Sequence, residues 1–245
     1  MRKGGLDKDA YYADPILELE QYVQEPLLLP EERQFQPSRS ELEAKQRLFA
    51  DKSGRGIFCA ARASNPSHCP NLGLPEIAMM GYSNVGKSSL IAGLFHDSRL
   101  RVATSARPGH TKTVDFFQVG QAMVLVDMPG YGLNQPASFA QTAGAYLTRR
   151  QNLRCAFLLF NCEQGMKETD IVVLKKLESL GIDYALIMTK IDLYPRSQKL
   201  RTLLELRRLR DTFARQHCFA QPFLVSSKTG EGLGFLQAFI ASLCL

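Results

Sequence analysis

Short apolar runs recur along the chain from residue 77 onward and alternate with longer segments whose leucines and isoleucines have helical spacing. The runs lie at residues 77–80, 124–126, 155–160, 185–188 and 223–225. Continuous apolar runs of this length are typical of strands that are buried on both faces, as in a parallel sheet. Helical spacing is present at residues 87–95, 169–180 and 232–243. The pattern therefore predicts alternating strands and helices, which is the arrangement of an α/β domain.

One part of the pattern predicts a hairpin rather than a strand followed by a helix. Residues 113–119 and 121–127 are expected to pair with each other and to turn at Gly120. A further helix is expected at residues 138–150. Taken as a whole, the pattern predicts a mostly parallel six-stranded sheet with helices on both faces.

The segment before residue 75 has no comparable pattern. Residues 1–36 combine mixed charge with several prolines, which predicts a partly ordered arm. Their acidic residues argue against a transit peptide. The next segment is expected to contain one helix, with Ser40 starting a capping box and Gly54 ending the helix. The expected organisation is an arm (1–36), a helix with a linker (37–74) and a main domain (75–245).

The loop after the first apolar run has the pattern G-x-x-x-x-G-K-[ST]. Its glycines allow backbone N–H groups to converge on an anion. A strand, a glycine loop and a helix in this order direct the N-terminus of the helix at phosphate. Lys87 is placed to bridge the β- and γ-phosphates, and the Ser88 hydroxyl is placed to bind Mg²⁺. The predicted phosphate-binding residues are Gly81, Tyr82, Ser83, Asn84, Val85, Gly86, Lys87, Ser88 and Ser89.

A second polar motif follows the next buried run. The run at residues 124–126 ends in Asp127, Met128, Pro129 and Gly130, a D-x-x-G motif. The Asp127 carboxylate can hold Mg²⁺ through water, and the Gly130 N–H can contact the γ-phosphate. Because ligands bind at the carboxyl ends of the strands in open α/β sheets, these positions favour one shared nucleotide site.

The last two apolar runs end in residues that are suited to recognise guanine. The Asp192 carboxylate can accept hydrogen bonds from guanine N1 and from its exocyclic amine, while the Lys190 stem packs on the purine. Adenine lacks that pair of donors, so a buried Asp192 would lose its partners against ATP, at a cost of roughly 1–3 kcal/mol or more. The Ser227 N–H can meet guanine O6. The predicted guanine-binding residues are Thr189, Lys190, Asp192, Ser226, Ser227 and Lys228.

Composition and charge agree with one α/β core and an extension. The chain has 245 residues, 45% of them hydrophobic, and no apolar run is long enough to span a bilayer. Six cysteines without C-x-x-C spacing predict free thiols. Ten Lys and Arg stand against eleven Asp and Glu up to residue 74, and twenty against thirteen after it. The basic excess therefore belongs to the main domain.

Several motifs together resemble one family of GTPases. The residues that carry the resemblance are 81–91, 107–112, 116–117 and 127–132. The double phenylalanine after a Pro-Gly-x-Thr segment, and Pro-Gly-Tyr-Gly after the Mg²⁺ aspartate, resemble the EngB (YihA) family of ribosome-biogenesis GTPases, in its organellar branch. The resemblance covers the chain from Pro75 to its end and is weak from Pro37 to Phe58. It implies the P-loop NTPase fold of small GTPases and GTP hydrolysis that drives a conformational switch.

The resemblance also implies roles for the residues of two switch segments. Thr111 would be the switch I threonine, which closes on Mg²⁺ and the γ-phosphate when GTP is bound, and Gly130 would be its switch II counterpart. Tyr131 stands where small signalling GTPases carry the glutamine that orients water, which implies slow intrinsic hydrolysis. The switch I residues expected to contact GTP are Pro108, Gly109, His110 and Thr111.

Two further residues of the switch and phosphate loops have alternative interpretations. Asn84 stands where related GTPases hold a K⁺ ion that neutralises developing charge between the β- and γ-phosphates. The alternative for Asn84 is local capping of its loop. Arg107 is interpreted as a switch-loop or RNA-facing charge in preference to an internal arginine finger, because nothing fixes its geometry.

Basic residues are concentrated at residues 196–215, which hold seven Lys and Arg against two acidic residues. Leucines at helical spacing form an apolar stripe there, so the arginines are expected to line the opposite face. A solvated helix face is one interpretation. The family resemblance favours the other, a salt-sensitive contact with ribosomal RNA phosphates. The candidate RNA-binding residues are Arg201, Arg207, Arg208, Arg210 and Arg215.

The sequence favours one function and leaves two others open. The favoured function is a Mg²⁺-dependent GTPase, with K⁺ as a second candidate cofactor, that acts as a monomer in assembly of the large ribosomal subunit. The expected compartment is the mitochondrial matrix, with the bacterial cytoplasm as the alternative. A regulatory GTPase with a protein or membrane effector, and a nucleotide-binding module with negligible turnover, stay open.

Overall fold

A seven-stranded sheet lies at the centre of the computed structural model, which describes residues 8–50, 56–64, 69–95, 98, 100, 102, 113–131, 144–213 and 216–245. Its strands are β1 (Ile57–Ala63), β2 (Glu76–Gly81), β3 (Val114–Val119), β4 (Met123–Asp127), β5 (Leu153–Asn161), β6 (Tyr184–Thr189) and β7 (Phe223–Leu224). They are ordered β1-β3-β4-β2-β5-β6-β7. The pairs β1–β3 and β3–β4 are antiparallel, and the other four pairs are parallel. The sheet is therefore mostly parallel, as predicted.

Helices cover both faces of the sheet. They are α1 (Lys8–Tyr12), α2 (Pro15–Glu20), α3 (Arg39–Gln46), α4 (Lys87–Leu94), α5 (144–149), α6 (Glu168–Leu180), α7 (Arg196–Phe213) and α8 (Leu233–Cys244). Residues of α1, α3, α4 and α8 belong to one hydrophobic cluster, and residues of α2, α5, α6 and α7 to the other. No helix within the described ranges is both long and apolar enough to cross a bilayer.

The apolar runs form the central strands because both faces of the sheet are covered. Every residue of β2 is buried. Ile77 and Met79 join the first cluster, whereas Ala78 and Met80 join the second. Successive side chains of a strand point to opposite faces, so a strand that is covered on both faces is apolar at successive positions, as residues 77–80 are. The predicted α/β architecture is confirmed.

The predicted count of six strands is wrong, because β1 adds a seventh at the edge of the sheet. It pairs antiparallel with β3, from Ile57 opposite Val119 to Ala63 opposite Val114. Only a linker was expected between the first helix and β2. Most of β1 is only partly buried, and Phe58 remains 47% exposed. Residues 57–61 are all apolar, so the sequence carried a strand signal that the prediction of a linker overlooked.

The helix before β1 begins two residues earlier than predicted. Ser38 is the residue that caps α3: its hydroxyl accepts from the Glu41 N–H at 3.3 Å, and its own N–H donates to the Glu41 carboxylate at 2.7 Å. Ser38 and Ser40 are each followed by glutamate three residues later, so the capping-box spacing alone does not distinguish them.

The described part of the predicted N-terminal arm packs on the main domain. Ile16 is fully buried. The Tyr11 hydroxyl donates to Gln237 of α8 at 2.6 Å, and the Gly232 N–H donates to the Ala10 carbonyl at 3.0 Å. The contacts of Ala10 and Tyr11 place α1 against the N-terminal half of α8, whereas Ile16 of α2 joins the second hydrophobic cluster. The proposed boundaries near residues 36 and 74 stay a prediction.

Asp14 connects this arm to the loop before β7. Its carboxylate accepts from the Ile16 N–H at 3.0 Å, which caps α2, and from the Gln221 side chain at 3.1 Å. Burial raises the pKa of Asp14 from 3.8 to about 6, although both hydrogen bonds and the nearby Arg33 act in the opposite direction. Glu20 raises it further. The folded chain therefore holds a proton on Asp14 more tightly than the unfolded chain does.

We expect Asp14 to make folding stability depend on pH. Because its folded pKa is the higher one, it favours folding below about pH 4, and this contribution is lost as the pH rises through about 6. When the pH falls from 7 to 4, the free energy of unfolding of the wild type should therefore rise by up to about 3 kcal/mol relative to that of Asp14→Asn. Urea unfolding of both proteins across this range measures the difference, in which other titrating groups cancel. A pH-independent difference would contradict the assignment.

Candidate functional site

The loop between β2 and α4 has the backbone conformation that its glycines predict. Gly86 has φ of 112° and Asn84 has φ of 65°, both in the left-handed region. Gly86 also occupies the N-cap of α4, and it has no side chain with which to cap the first backbone N–H groups. These donors remain available to an anion at the helix N-terminus. The geometry is that of a phosphate-binding loop.

Lys87 lies inside this loop. Its ammonium donates to the carbonyls of Gly81 at 3.0 Å and Tyr82 at 3.2 Å. Burial lowers the pKa of Lys87 from 10.5 to about 8, while Asp127 and Asp170 act in the opposite direction. Burying a charged ammonium costs free energy, which phosphate oxygens at this position would offset.

Ser88 and Asp127 form an oxygen-rich pair beside Lys87. The Ser88 hydroxyl donates to Asp127 Oδ2 at 2.6 Å. The other oxygen, Oδ1, is buried and has no hydrogen-bond partner in the described part of the chain. Burial raises the pKa of Asp127 to about 6. A hydroxyl and an unsatisfied carboxylate oxygen are ligands that Mg²⁺ prefers, so these residues fit that ion.

The predicted guanine-binding residues form a second polar cluster. The Ser226 hydroxyl donates to Asp192 Oδ1 at 2.6 Å, and it accepts from the N–H groups of Lys228 at 3.2 Å and Thr229 at 3.1 Å. Ser226 is fully buried. Its side chain therefore orients the Asp192 carboxylate and the loop that follows β7.

Two residues after β6 join this cluster to the phosphate loop. The Thr189 hydroxyl donates to the Val85 carbonyl at 2.6 Å, and the Lys190 ammonium donates to the Asn84 carbonyl at 2.7 Å. The Lys190 stem also lies beside Gly86, where an added Cβ would be 3.7 Å from Lys190 Cε. Thr189 is buried, and its side chain contacts the backbone of the phosphate loop. The two predicted halves of the site are therefore adjacent.

Gly130 of the D-x-x-G motif lies against the phosphate loop. A Cβ added at Gly130 would be 2.8 Å from Ser83 Cα and 2.9 Å from Lys87 Nζ. Tyr131 follows, and its hydroxyl donates to Asp170 in the first turn of α6 at 2.5 Å. Asp170 was not among the predicted site residues. A first-turn aspartate in α6 predicts a helix N-terminus but carries no signal of a contact 39 residues away.

Some of the remaining predicted site residues are described by the structure, and the others lie outside the described residues. Val85, Met128 and Pro129 are buried, and Ser89, Asn84 and Lys228 are exposed, with Ser227 between these extremes. The other predicted residues lie outside the described residues. They are the switch I residues Arg107, Pro108, Gly109, His110 and Thr111, and Arg215 of the candidate RNA face.

The predicted basic face of α7 is wrong at Arg210. This residue is only 8% exposed, forms an ion pair with Glu32, and donates to the Ala220 carbonyl at 2.7 Å. Arg207 is half-buried, with a guanidinium nitrogen 3.9 Å from the Glu32 carboxylate. Arg201 and Arg208 are exposed. One acidic residue of the N-terminal arm, Glu32, contacts both Arg207 and Arg210, which helical spacing alone does not predict.

Known proteins are similar in sequence to this chain over most of its length. Residues 76–190 match the family model described as 50S ribosome-binding GTPase. A probable GTP-binding protein EngB of Granulibacter bethesdensis is 37% identical over 217 residues, which cover 85% of this chain and 92% of the relative. Its counterpart from Caulobacter vibrioides is 31% identical over 225 residues, covering 90% and 94%.

Solved structures share the fold. A crystal structure of a probable GTP-binding protein engB has a TM-score of 0.51 at 20% identity, covering 69% of this chain and 98% of that one. Aquifex aeolicus Era bound to GDP and aluminium fluoride has a TM-score of 0.55 at 17% identity, covering 70% and 57%. At these identities the likeness concerns the fold alone.

Proposed function

This chain belongs to the EngB family of GTP-binding proteins, and from this premise we propose that it hydrolyses GTP to GDP and phosphate with Mg²⁺. The observation that carries the proposal is the connection between the two polar clusters. Thr189 and Lys190 bond the carbonyls of Val85 and Asn84, so the phosphate loop and the guanine-binding residues are held as one site. A single guanine nucleotide can therefore contact both.

The residues of the site have distinct roles in this reaction. Lys87 supplies positive charge to the β- and γ-phosphates, and the backbone donors at the start of α4 hold their oxygens. Ser88 and Asp127 would hold Mg²⁺, with Thr111 as the switch I ligand. The ion, when bound, neutralises charge that develops on the phosphates. Asp192 selects guanine, and Ser226 keeps its carboxylate oriented.

Tyr131 supports slow intrinsic turnover. It stands where small signalling GTPases carry a glutamine, and a phenol lacks the carboxamide that orients an attacking water. We propose that Asn84 would help to hold a K⁺ ion, which would supply positive charge against the charge that develops on the phosphates. GTP and GDP would then define two states of the switch segments, since the γ-phosphate orders Thr111 and Gly130.

The proposed task is assembly of the large ribosomal subunit in the mitochondrial matrix. The match to a family described as 50S ribosome-binding GTPase supports the ribosomal part. The net charge of +6 and the exposed Arg201 and Arg208 of α7 support contact with RNA phosphates. The Pro-Gly-His-Thr-Lys segment at residues 108–112 resembles the organellar branch and supports the compartment.

We expect the chain to co-sediment with purified large ribosomal subunits when it is loaded with a non-hydrolysable GTP analogue, and to dissociate when loaded with GDP. The double variant Arg201→Ala/Arg208→Ala should bind more weakly, with a less steep dependence on salt, because about two phosphate contacts are lost. Lys175→Ala/Lys176→Ala removes the same charge from α6 and serves as the matched control. Equal binding in both nucleotide states would favour a protein effector instead.

A further inference from the structure

The hydrogen bond between Tyr131 and Asp170 joins the D-x-x-G segment to helix α6. Asp170 is 2% exposed, and its two carboxylate oxygens have different partners. Oδ1 accepts from the Tyr131 hydroxyl at 2.5 Å, and Oδ2 accepts from the Lys167 N–H at 2.8 Å. The second bond caps the start of α6. The bond from the Tyr131 hydroxyl does not cap the helix, so its effect is on the position of Tyr131.

Tyr131 is also attached to the phosphate loop through its backbone. Its N–H donates to the Gly81 carbonyl at 3.3 Å, and its carbonyl accepts from the Ser83 N–H at 2.9 Å. Its ring packs edge-on against Tyr82, with the ring centroids 6.4 Å apart. The Lys167 ammonium lies 3.5 Å from the centroid of the Tyr82 ring. Tyr131 is thus held from two sides, by the loop and by α6.

Gly130 is placed over Lys87 as a result. The direction of its missing side chain leads to Lys87 Nζ, 2.9 Å from where a Cβ would stand. A γ-phosphate oxygen needs the same ammonium, because a phosphate-loop lysine bridges the β- and γ-phosphates. GTP therefore requires Gly130 to move away from Lys87, whereas GDP has no group at that position. Anchoring Tyr131 opposes this movement.

We propose that Asp170 is a positioning residue that, through Tyr131, holds Gly130 over Lys87 and thereby sets the affinity for GTP relative to GDP. This inference rests on the proposed function of the site. The hydrogen bond favours the GDP-bound or nucleotide-free arrangement. Removing this hydrogen bond should raise the affinity for GTP relative to GDP, although no new contact with the nucleotide is formed.

Tyr131→Phe in the full chain tests the inference, because it removes only the hydroxyl. Competition binding with GDP and a non-hydrolysable GTP analogue, both with Mg²⁺, gives the two dissociation constants. The ratio of GTP-analogue affinity to GDP affinity should rise by about 3- to 10-fold, the range that corresponds to one net hydrogen bond. Affinity for GDP should change by less than about 2-fold.

A double-mutant cycle separates this role from a merely structural one. Asp170→Asn should raise the same ratio, and the double variant should rise no further than the larger single effect, because both act through one bond. Glu168→Gln, an exposed neighbour in the same helix turn, should leave the ratio unchanged. Equal weakening for both nucleotides, an unchanged ratio or additive single effects would overturn the inference. Failure of the wild type to bind either nucleotide would instead refute the proposed function.

Discussion

Asp192→Asn is expected to weaken GTP binding by at least about 100-fold while leaving the fold intact. In the wild type the carboxylate accepts from two guanine N–H groups. In the variant, the amide N–H₂ faces one of these N–H groups, so both of these donors are left unpaired. Sites built to hydrogen-bond a substrate reject an analogue that lacks the partner by up to about 10⁴ to 10⁵. The remaining amide oxygen can still accept from Ser226, whose hydroxyl is 2.6 Å from Asp192 in the wild type.

Xanthosine triphosphate provides the positive part of this test. Its base has a carbonyl where guanine has the exocyclic amine, so the new amide can donate to it. Competition binding should therefore show that Asp192→Asn prefers xanthosine triphosphate to GTP. Asp183→Asn, an exposed aspartate before β6, is the matched control and should retain GTP preference. Unchanged GTP affinity in Asp192→Asn would show that guanine is recognised elsewhere.

Lys87→Met is expected to reduce GTP turnover by about 10²- to 10³-fold, because a preorganised positive charge on the β- and γ-phosphates is lost. The same substitution should make the nucleotide-free protein more stable by on the order of 1–3 kcal/mol. Lys87 is 7% exposed, and burial lowers its pKa to about 8, which shows that the folded chain pays to keep this ammonium charged. Methionine retains most of the apolar stem without that cost.

Opposite changes in activity and stability distinguish a functional lysine from a structural one. Single-turnover hydrolysis gives the rate, and urea unfolding without nucleotide gives the stability. Lys190→Met is the comparison, because that ammonium also bonds a loop carbonyl, at 2.7 Å from the Asn84 oxygen, but is exposed to solvent. It should lower nucleotide affinity without stabilising the apo protein. Loss of both activity and stability in Lys87→Met would contradict the phosphate-binding role.

Local patterns were sufficient to predict the parts of the molecule in which neighbouring residues determine the structure. The phosphate loop follows from its own glycines, and Asn84 and Gly86 adopt the left-handed conformations that this loop needs. The central strands were predictable from their continuous apolar runs, and β2 and β6 are indeed buried along their whole length. The hairpin between β3 and β4 turns at Gly120, where φ is 53°. In each case one short segment contains the complete signal.

Features that depend on distant residues were not predictable in the same way. Arg210 is drawn inward by Glu32, 178 residues earlier in the chain. The position of strand β1 at the edge of the sheet depends on its antiparallel pairing with β3. Asp170 acquires its role only because the fold brings α6 beside the residue after Gly130. Each of these contacts joins segments whose sequences give no sign of one another.

The most direct test of the account is product formation by the purified wild-type chain with GTP and Mg²⁺, followed by chromatography over a long incubation. The account predicts that GDP accumulates slowly, that ATP in a parallel reaction stays intact, and that Lys87→Met prepared identically forms almost no GDP. Absence of GDP from the wild type, or consumption of ATP at a similar rate, would contradict the central claim that this site is a guanine-specific hydrolase.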